Sequence, residues 1–469
     1  MSARDQIIGP GSEIDGFRLG EMIHAGSMAS IYRLIGPRGL LPLIMKIPRL
    51  GPGERAVNVI GFEVCRMVLG ALAQSPHHPT LIAYGDVETT PYLVMEFVEG
   101  TRLSEWADRA PLPADEIVRV GTALAIALHD LHKQDVVHLD LKPTNVLYRE
   151  DGDVVLIDFG LAHHSHYPDL LAEELRFPVG NWVYMAPEQA LGVRSDLRSD
   201  IYALGGILYE LATGQLPFGK PRSIAELRKR LYLDPVPPRA IVSETPGWLQ
   251  EIILRCLEVD ARDRYSSAEQ VAIELASPSG VALTERASRQ HRARWWALLH
   301  RRVRARRFEP APCLPTASQP RVARITVVAL APGEFDEPMH EALRSATRQV
   351  ITSDPACRVA CVTVVAPAVS LSGEGEENSA TGRHIRRLVE LRRWAKSLGL
   401  PEERLTYHVL ESDKPAQALV DYVKMNDIDQ VLIGAAVGGT GARRFAGVCA
   451  HVVMEVPCSV TVVRPRGQD

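Results

Sequence analysis

The chain has 469 residues, a formal net charge of −4, 46% hydrophobic residues and 23% charged residues. A chain of this length exceeds what one hydrophobic core usually serves, so we expect at least two domains. The composition is that of a folded globular protein, which excludes collagen-like, disulfide-rich and wholly disordered classes, and the small net charge predicts no strong attraction to nucleic acid.

The seven cysteines are scattered and form no CxxC pair suited to zinc. We interpret them as mostly buried thiols in a reducing compartment. The first residues lack the hydrophobic core of a signal peptide, and no apolar run approaches the roughly 20 residues that span a bilayer. These features predict a cytoplasmic protein.

The first part of the chain changes character near residue 100. Before it, the short runs FRLGEMI, SIYRLIG, LPLIMKI and PYLVMEF predict strands around one helix near residues 58–73. After it, IVRVGTALAIALHDLHK and SDIYALGGILYELATG show helical spacing of apolar residues. We predict a β-rich lobe over about 14–97 and a helical lobe over about 100–277.

A basic segment follows residue 277, and we interpret 278–321 as a linker. Nine arginines and no acid lie between Arg286 and Arg307 around the motif WWALL, and PAPCLPTASQP then indicates a proline-rich spacer. Three interpretations remain open: a solvated helix that packs Trp295 and Trp296 on a domain, contact with an anionic membrane surface, and nucleic-acid binding. We favour the first and consider nucleic acid unlikely.

Strands and helices alternate from about 322 to 466. RITVVALA, RVACVTVVAP, LTYHVL, QVLIG and CSVTVVR are apolar enough to be buried strands, and amphipathic stretches separate them. Strands of this kind with intervening helices indicate a parallel sheet covered on both faces. We therefore predict a three-layer α/β domain with a parallel sheet.

The motif HLDLKPTN carries the first group of candidate functional residues. Asp140 is followed by Lys142 and Asn145, and Asp158 of DFG comes thirteen residues after the asparagine. The intervening NVLYREDGDVVLIDFG predicts a β-hairpin with DG at its turn. Such a hairpin would bring the oxygen ligands of Asn145 and Asp158 together, which is how Mg²⁺ is held beside phosphates.

These motifs resemble those of eukaryotic-like protein kinases, over about residues 14–276. The resemblance implies a bilobal kinase fold and the cofactors ATP and Mg²⁺. It makes Asp140 the catalytic base, makes Asn145 and Asp158 the metal ligands, and gives Lys142 the task of neutralising the transferred phosphate.

The same resemblance extends to the predicted β-rich lobe. Lys46 of LIMKI would grip the α- and β-phosphates, and its charge requires a partner. We favour Glu63 of GFEVCRM for that partner and keep Glu54 as the weaker alternative.

The adenine-binding hinge is expected in PYLVMEFVEG. Met95 precedes it, and the backbone of Glu96 to Val98 is expected to hydrogen-bond adenine. The end of the activation segment, MAPEQ, implies that Glu188 pairs with Arg264.

The glycine-rich loop departs from the family pattern in IHAGSMASIY. Gly26 keeps the second glycine position, whereas His24 and Ala29 replace the first and third. Ile23 and Ile31 flank the expected nucleotide position. Because a Cβ restricts close backbone approach to phosphate, a looser grip on the nucleotide is expected.

Leu139 stands where many kinases carry the arginine that receives an activation-loop phosphate. Early in the loop, only Ser165 and Tyr167 carry hydroxyl groups, and Asn181 replaces the usual threonine before the MAPEQ motif. We hypothesise that activity does not require loop phosphorylation, and that Asn181 lowers activity or alters substrate choice.

The α/β segment resembles the universal stress protein family. ATP-binding members show G-x2-G-x9-G-S/T, and here Gly434 and Gly447 fit, whereas Val437 and Val448 do not. Leu330 replaces the family's aspartate after the first strand. We expect no ATP binding at this domain, and expect CSVTVV to pair across a two-fold axis in a homodimer.

Together these features predict a serine/threonine protein kinase that transfers the ATP γ-phosphate to protein hydroxyl groups. Its stress-protein-like module would regulate or dimerise it, in bacterial stress signalling. The alternative is a pseudokinase scaffold or ligand-sensing adaptor with weak or no phosphotransfer.

Overall fold

The computed structural model describes residues 8–26, 28–36, 42–49, 56–86, 89–171, 178, 180–291, 301–303, 305, 307–311, 323–331, 337–367, 380–401, 404–435 and 440–465.

The first lobe consists of an antiparallel sheet and one helix. Its elements are β1 (Glu13–Ile14), β2 (Phe17–Ala25), β3 (Ala29–Ile35), β4 (Leu43–Pro48), α1 (Ala56–Ala71), β5 (Leu81–Tyr84) and β6 (Leu93–Glu96). The sheet order is β1-β2-β3-β4-β6-β5. The predicted strands and helix are confirmed, and β1 and β5 are additional strands that the sequence patterns did not indicate.

The second lobe is mainly helical. Its helices are α2 (Leu103–Ala107), α3 (Ala114–Lys133), α4 (Arg198–Thr213), α5 (Ile224–Leu227), α6 (Gly247–Cys256), α7 (Ala268–Ala276) and α8 (Glu285–Ser288). Helix α4 is buried along nearly its whole length, as its apolar sequence predicted, and lies at the centre of the lobe.

Short strands in this lobe carry the loops of interest. They are β7 (Thr101–Arg102), β8 (Val136–Val137), β9 (Val146–Tyr148), β10 (Val154–Leu156) and β11 (His163–His164). Strands β9 and β10 pair antiparallel, so the predicted hairpin is confirmed.

The helical lobe continues beyond the boundary predicted at residue 277. Helix α8 packs on α6, and the Glu251 carboxylate accepts hydrogen bonds from Thr284 and Arg286. Arg301 pairs with Asp234 at 2.6 Å. Acids of the lobe therefore neutralise part of the basic segment, whereas Trp295 and Trp296 lie outside the described residues.

The C-terminal domain is a parallel α/β sandwich, as predicted. Its elements are β12 (Ile325–Leu330), α9 (Glu337–Ser353), β13 (Arg358–Val365), α10 (Ala380–Lys396), β14 (Leu405–Glu411), α11 (Pro415–Met425), β15 (Gln430–Gly434), α12 (Thr440–Glu455) and β16 (Ser459–Val463). The sheet order is β14-β13-β12-β15-β16, and every neighbouring pair is parallel. The alternation of the buried strands β12 to β15 with helices determines this arrangement. The prediction that CSVTVVR is a buried strand is wrong, because β16 lies at the edge of the sheet and none of its residues is buried.

Candidate active site

The loop after β8 is held by a buried carboxylate. Asp200 of α4 accepts hydrogen bonds from the backbone N–H groups of His138 (2.8 Å) and Leu139 (2.9 Å), and its carboxylate lies 2.9 Å from His132 Nε2. Leu139 has a left-handed φ of 62°. Three partners on one buried carboxylate stabilise this unusual backbone and fix the start of the loop.

The carboxylate of Asp140 has a defined orientation. One oxygen, Oδ1, accepts from the backbone N–H of Asn181 at 3.0 Å. The other, Oδ2, accepts from Lys142 Nζ at 2.6 Å and from Asn145 Nδ2 at 3.2 Å. The loop thus brings together the predicted base, the predicted phosphate-neutralising lysine and one predicted metal ligand.

The β9–β10 hairpin returns Asp158 to the same place. The backbone N–H of Ile157 donates to the carbonyl of Asn145 at 3.0 Å, which ties the two ends of the hairpin together. Phe159 is fully buried, and its ring lies 5.2 Å from that of His138. Asp158 therefore lies at the cleft while its neighbour is anchored in the core.

Lys46 of β4 forms an ion pair with Asp158, and their Nζ and Oδ1 atoms are 2.6 Å apart. The Lys46 ammonium lowers the pKa of the Asp158 carboxyl to about 2. Burial opposes the charge on Lys46, but the combined effect of Asp158, Cys65 and Asp140 is larger and raises the lysine's pKa. Both groups are therefore charged at neutral pH.

Glu63 does not occupy the predicted position. Its carboxylate binds Arg66 (3.1 Å) and Arg392 (2.7 Å), and among the described residues no ion pair joins it to Lys46. Cys65 lies near the lysine instead. Burial raises the pKa of this thiol, while the charge of Lys46 lowers it and that of Asp158 raises it.

The physical reason is the rotation of α1. A Cβ added at Gly61 would lie 3.2 Å from the carbonyl oxygen of Gly160, so this face of α1 packs against the DFG turn. At about 100° per residue, Cys65 falls on the same face as Gly61, and Glu63 lies about 160° away. The weaker alternative partner, Glu54, lies outside the described residues.

The described part of the loop between β2 and β3 is held by a backbone hydrogen bond. The backbone N–H of Gly26 donates to the carbonyl of Ala29, and a Cβ at Gly26 would lie 3.0 Å from His24 Nε2. Ile31 is the register partner of Lys46, and the side chain of Ile23 is largely exposed. Two of the residues predicted to contact nucleotide thus flank the lysine and the loop tip.

The hinge follows β6. Met95 is buried and pairs with Ile44 of β4. The backbone N–H of Glu96 donates to Thr80, so this residue has only its carbonyl available for a purine. In the described part of the chain, the N–H of Val98 has no protein acceptor, which leaves it available as a donor.

The predicted ion pair between Glu188 and Arg264 is present in the helical lobe. Arg264 donates to both carboxylate oxygens of Glu188, at 2.7 and 2.8 Å, and both side chains are buried. The pair joins the end of the activation segment to the helical lobe, and the prediction is confirmed.

Sequence reasoning missed Arg392 and Cys65. Arg392 lies in α10, whose sequence RHIRRLVELRRWAK offers several equivalent arginines and no motif. Cys65 is a lone cysteine two residues from the acid that the family pattern favours. Neither carried a signal that pattern alone could have found.

Comparisons with known proteins agree with this geometry. The protein kinase domain model matches residues 68–275, and the universal stress protein family model matches residues 326–464. Serine/threonine-protein kinase PknL of Mycobacterium tuberculosis is 30% identical over 283 residues, which are 58% of this chain and 69% of that protein. The chain belongs to the bacterial serine/threonine-protein kinase family. A universal stress protein domain follows its kinase domain.

Two further relatives place the kinase among bacterial proteins of different sizes. Serine/threonine-protein kinase Pkn1 of Myxococcus xanthus is 35% identical over 57% of this chain and 39% of that protein. Probable serine/threonine-protein kinase PknB of Lactococcus lactis is 30% identical over 57% of this chain and 42% of that protein. The chain thus spans about two fifths of the length of these two relatives. A cysteine-to-alanine mutant of the Mycobacterium tuberculosis PknI kinase domain is a solved structure with 23% identity and a TM-score of 0.45, and the match covers 59% of this chain and 100% of that one.

The helices and the cysteines of the described residues were also compared with the sequence-based expectations. In them, no helix combines the length and apolar character needed to cross a membrane. Their six cysteines are free thiols, and five of the six are buried.

Proposed function

We propose that the kinase catalyses transfer of the ATP γ-phosphate to serine or threonine hydroxyl groups of proteins, with Mg²⁺ as cofactor. The observation that supports this most strongly is the convergence of four side chains from three separate segments on one cleft: Lys46, Asp140, Asn145 and Asp158. The proposal includes a cytoplasmic location.

The donor set fits a magnesium nucleotide. Asn145 uses its Nδ2 on Asp140, and among the described residues its side-chain oxygen Oδ1 receives no hydrogen bond. The Oδ2 atom of Asp158 likewise has no protein donor there, because Lys46 binds Oδ1. Two hard oxygen atoms at one edge of a cleft suit Mg²⁺, and the free N–H of Val98 suits a purine.

The protein residues have distinct tasks in the proposed reaction. Asp140, held by Asn181 and Lys142, would accept the proton of the substrate hydroxyl. Lys142, once Asp140 takes that proton, can turn toward the transferred phosphate, and Lys46 would hold the nucleotide phosphates. When bound, Mg·ATP supplies the phosphoryl group and the cation that offsets its charge.

A labelled-phosphate assay tests the proposal. The purified full chain would be incubated with Mg²⁺ and γ-labelled ATP, alone and with a serine- and threonine-rich protein substrate. We expect label on serine or threonine of either protein, and its loss in Asp140→Asn. Equal labelling in wild type and Asp140→Asn would overturn the assignment.

A pseudokinase scaffold is the second candidate, and one observation favours it. Lys46 has no carboxylate from α1 beside it, because Glu63 binds Arg66 and Arg392 instead. If Mg·ATP binds to the purified chain without any transfer of label, the scaffold replaces the enzyme as the function.

The C-terminal domain is proposed as a regulatory and dimerisation module in bacterial stress signalling. Among the described residues, β16 is an edge strand of the sheet with Val462 41% exposed, and Met454 of α12 is 82% exposed. An unpaired apolar edge suits pairing with a second copy of the chain. Sedimentation of the full chain should show a dimer that Val462→Lys weakens. A monomer at micromolar concentration contradicts the proposal.

We also propose that this domain does not bind ATP. A Cβ at Gly434 would lie 2.6 Å from the sulfur of Met339, so a methionine side chain fills the space at the end of β15. Leu330 is buried at the end of β12. Apolar groups therefore stand where a nucleotide would need donors and acceptors.

A further inference from the structure

We propose that the C-terminal domain inhibits the kinase through one contact, in which Arg392 holds the carboxylate of Glu63 away from Lys46. This inference rests on the proposed kinase function and names the regulation of that same site. Glu63 is the movable element: it binds Arg392 in the inhibited state, which the structure shows, and Lys46 in the active state.

Lys46 has no carboxylate partner from α1 in the inhibited state. Glu63 is the only acid in the sequence of α1, AVNVIGFEVCRMVLGA. It binds Arg392 at 2.7 Å, and among the described residues the carboxylate paired with Lys46 is that of Asp158. Protein kinases need both the ion pair between the strand lysine and the helix glutamate and the cation on the DFG aspartate. The contact with Arg392 therefore removes one of the two requirements.

Arg392 holds Glu63 within a cluster of two arginines and two acids. It donates to Glu63 at 2.7 Å and to Asp86 at 2.6 Å, and Arg66 binds the Glu63 carboxylate at 3.1 Å. The side chains of Arg392 and Glu63 are each only 9% exposed. Because two positive and two negative charges balance, the cluster can be buried, and the planar guanidinium fixes its geometry.

Each arginine of the cluster keeps a second partner if Glu63 leaves. Arg392 retains the Asp86 carboxylate, and the Arg66 guanidinium lies 5.1 Å from the ring centre of Tyr84. Breaking a buried ion pair is costly mainly because it leaves one charge without compensation. Since these charges stay compensated, Glu63 can change partners at small cost, as a two-state equilibrium requires.

Helix α1 must turn about its axis for Glu63 to reach Lys46, and its surroundings leave room for that. Glu63 lies about 160° around the helix from Gly61, whose face packs on the DFG turn. Glycine has no side chain that the turn would displace. On the other side, a pocket of about 130 Å³ lies between α1 and β14 and is lined by residues of both. Protein interiors leave few voids of this size, so the packing between the domains can change.

The C-terminal domain is also anchored on the segment after the DFG turn. Arg358 of β13 donates to the carbonyl of His166. Asn426, next to α11, accepts from the backbone N–H of Asp169 at 2.6 Å. These contacts do not involve α1, so they keep the domain beside α1 in both states of the switch.

The test uses the full chain, because the C-terminal domain is the proposed inhibitor. Arg392→Ala removes the hold on Glu63, whereas Arg392→Lys keeps the charge and loses the planar fork that binds two carboxylates. Arg387→Ala is the matched control, because Arg387 lies in the same helix and pairs with Glu390 of that helix at 2.5 Å. The rate of label transfer from γ-labelled ATP is measured for each protein.

We expect Arg392→Ala to raise the transfer rate about tenfold over wild type, whose basal rate comes from the minor population in the active state. Arg392→Lys should raise it less, and Arg387→Ala should match wild type. Damaged folding lowers a rate, so an increase reports release of the inhibition. If Arg392→Ala is unfolded by circular dichroism, Arg392→Lys decides. A folded variant with the wild-type rate or a slower one would overturn the inhibition.

Glu63→Gln tests whether the effect passes through this carboxylate. The amide cannot form an ion pair with Lys46, so the rate of this variant should be low. Adding Arg392→Ala to it should then give no increase. An increase of about tenfold in the double variant would show that Arg392 acts by another route, and would overturn the proposal.

The inhibition and the kinase function fail on different results. If wild type and Arg392→Ala both transfer no more label than Asp140→Asn, the kinase function fails and the inhibition fails with it. If wild type exceeds Asp140→Asn and neither Arg392 variant exceeds wild type, only the inhibition fails. An inactive wild type together with an active Arg392→Ala protein would support both.

Discussion

The cleft of the kinase domain and the end of β15 in the C-terminal domain are both sites at which a nucleotide could bind by family resemblance, and they differ in what fills them. In the cleft, charged and amide groups converge within hydrogen-bonding distance of each other. At the end of β15, Met339 and Leu330 occupy the equivalent space. The difference teaches that a fold supplies a position, whereas the polar side chains decide what binds there.

The largest expected effect comes from removing the central charge of the cleft. Lys46→Met should lower the rate of phosphate transfer about 10²- to 10³-fold, because a preorganised cation at the phosphates is lost. Lys133→Met, an exposed lysine at the end of α3, serves as the control. Steady-state label transfer measures both, and a Lys46→Met protein with wild-type rate would contradict the assigned role.

The number of ATP molecules bound per chain distinguishes the kinase cleft from the site at the end of β15. Isothermal titration of the full chain with Mg·ATP should show one ATP bound per chain, and Asp158→Asn should weaken that binding. The physical reason is that, within the described part of the C-terminal domain, the apolar side chain of Met339 packs on Gly434 where a phosphate would need a donor. Two ATP molecules per chain would show that the C-terminal domain binds nucleotide after all.

The catalytic loop and the hairpin after it could be predicted from the sequence, because both form from neighbouring residues. Asp140, Lys142 and Asn145 are within six residues, so a local loop brings them together, and the hairpin that returns Asp158 is signalled by its turn. Glu63 and Cys65, however, differ only in which face of α1 they occupy. That rotation is set by tertiary packing of Gly61 on the DFG turn.

The contacts between the two domains could not be predicted from sequence patterns, for a different reason. Arg392 and its partner Glu63 are separated by 329 positions, and α10 holds several arginines at similar spacing. Nothing local distinguishes the one that is buried. Only the docking of α10 against α1 selects it.

A moderate loss of stability is expected in acid, and buried histidines of both domains should contribute to it, among them His164 of the kinase domain, whose pKa burial lowers to about 3. Burial lowers the pKa of His408 to about 3 and that of His384 to about 4. Because the folded state binds protons more weakly than the unfolded chain, stability is complete above a pH of about 6.5 and is lost as pH falls. At pH 5 each histidine should cost about 1–2 kcal/mol of unfolding free energy.

Thermal unfolding at pH 7.5 and pH 5.0 checks this expectation. His408→Gln should reduce the acid-induced fall in melting temperature, because glutamine does not titrate and can keep the contact with Thr406. His291→Gln, at an exposed position, should behave like wild type. An identical fall in all three proteins would show that His408 is not neutral and buried.

The smallest expected effect concerns the activation segment. Ser165→Ala should leave the transfer rate within about twofold of wild type, since the segment is tethered by Arg358 and Asn426 rather than by a phosphate. Mass spectrometry of the wild-type segment and steady-state rates of both proteins provide the readout. Abolished activity in Ser165→Ala would show that loop phosphorylation is needed.

The central claim is that folding gathers Asn145 and Asp158 into one cation site that depends on nucleotide. The most direct measurement is electron paramagnetic resonance of Mn²⁺, used in place of Mg²⁺, with the full chain in the presence and absence of ATP. We predict a protein-bound Mn²⁺ signal that requires ATP, disappears in Asp158→Asn and persists in Asp153→Asn, a change in the exposed turn of the same hairpin. A wild-type chain without an ATP-dependent signal, or a signal unchanged in Asp158→Asn, would contradict the account.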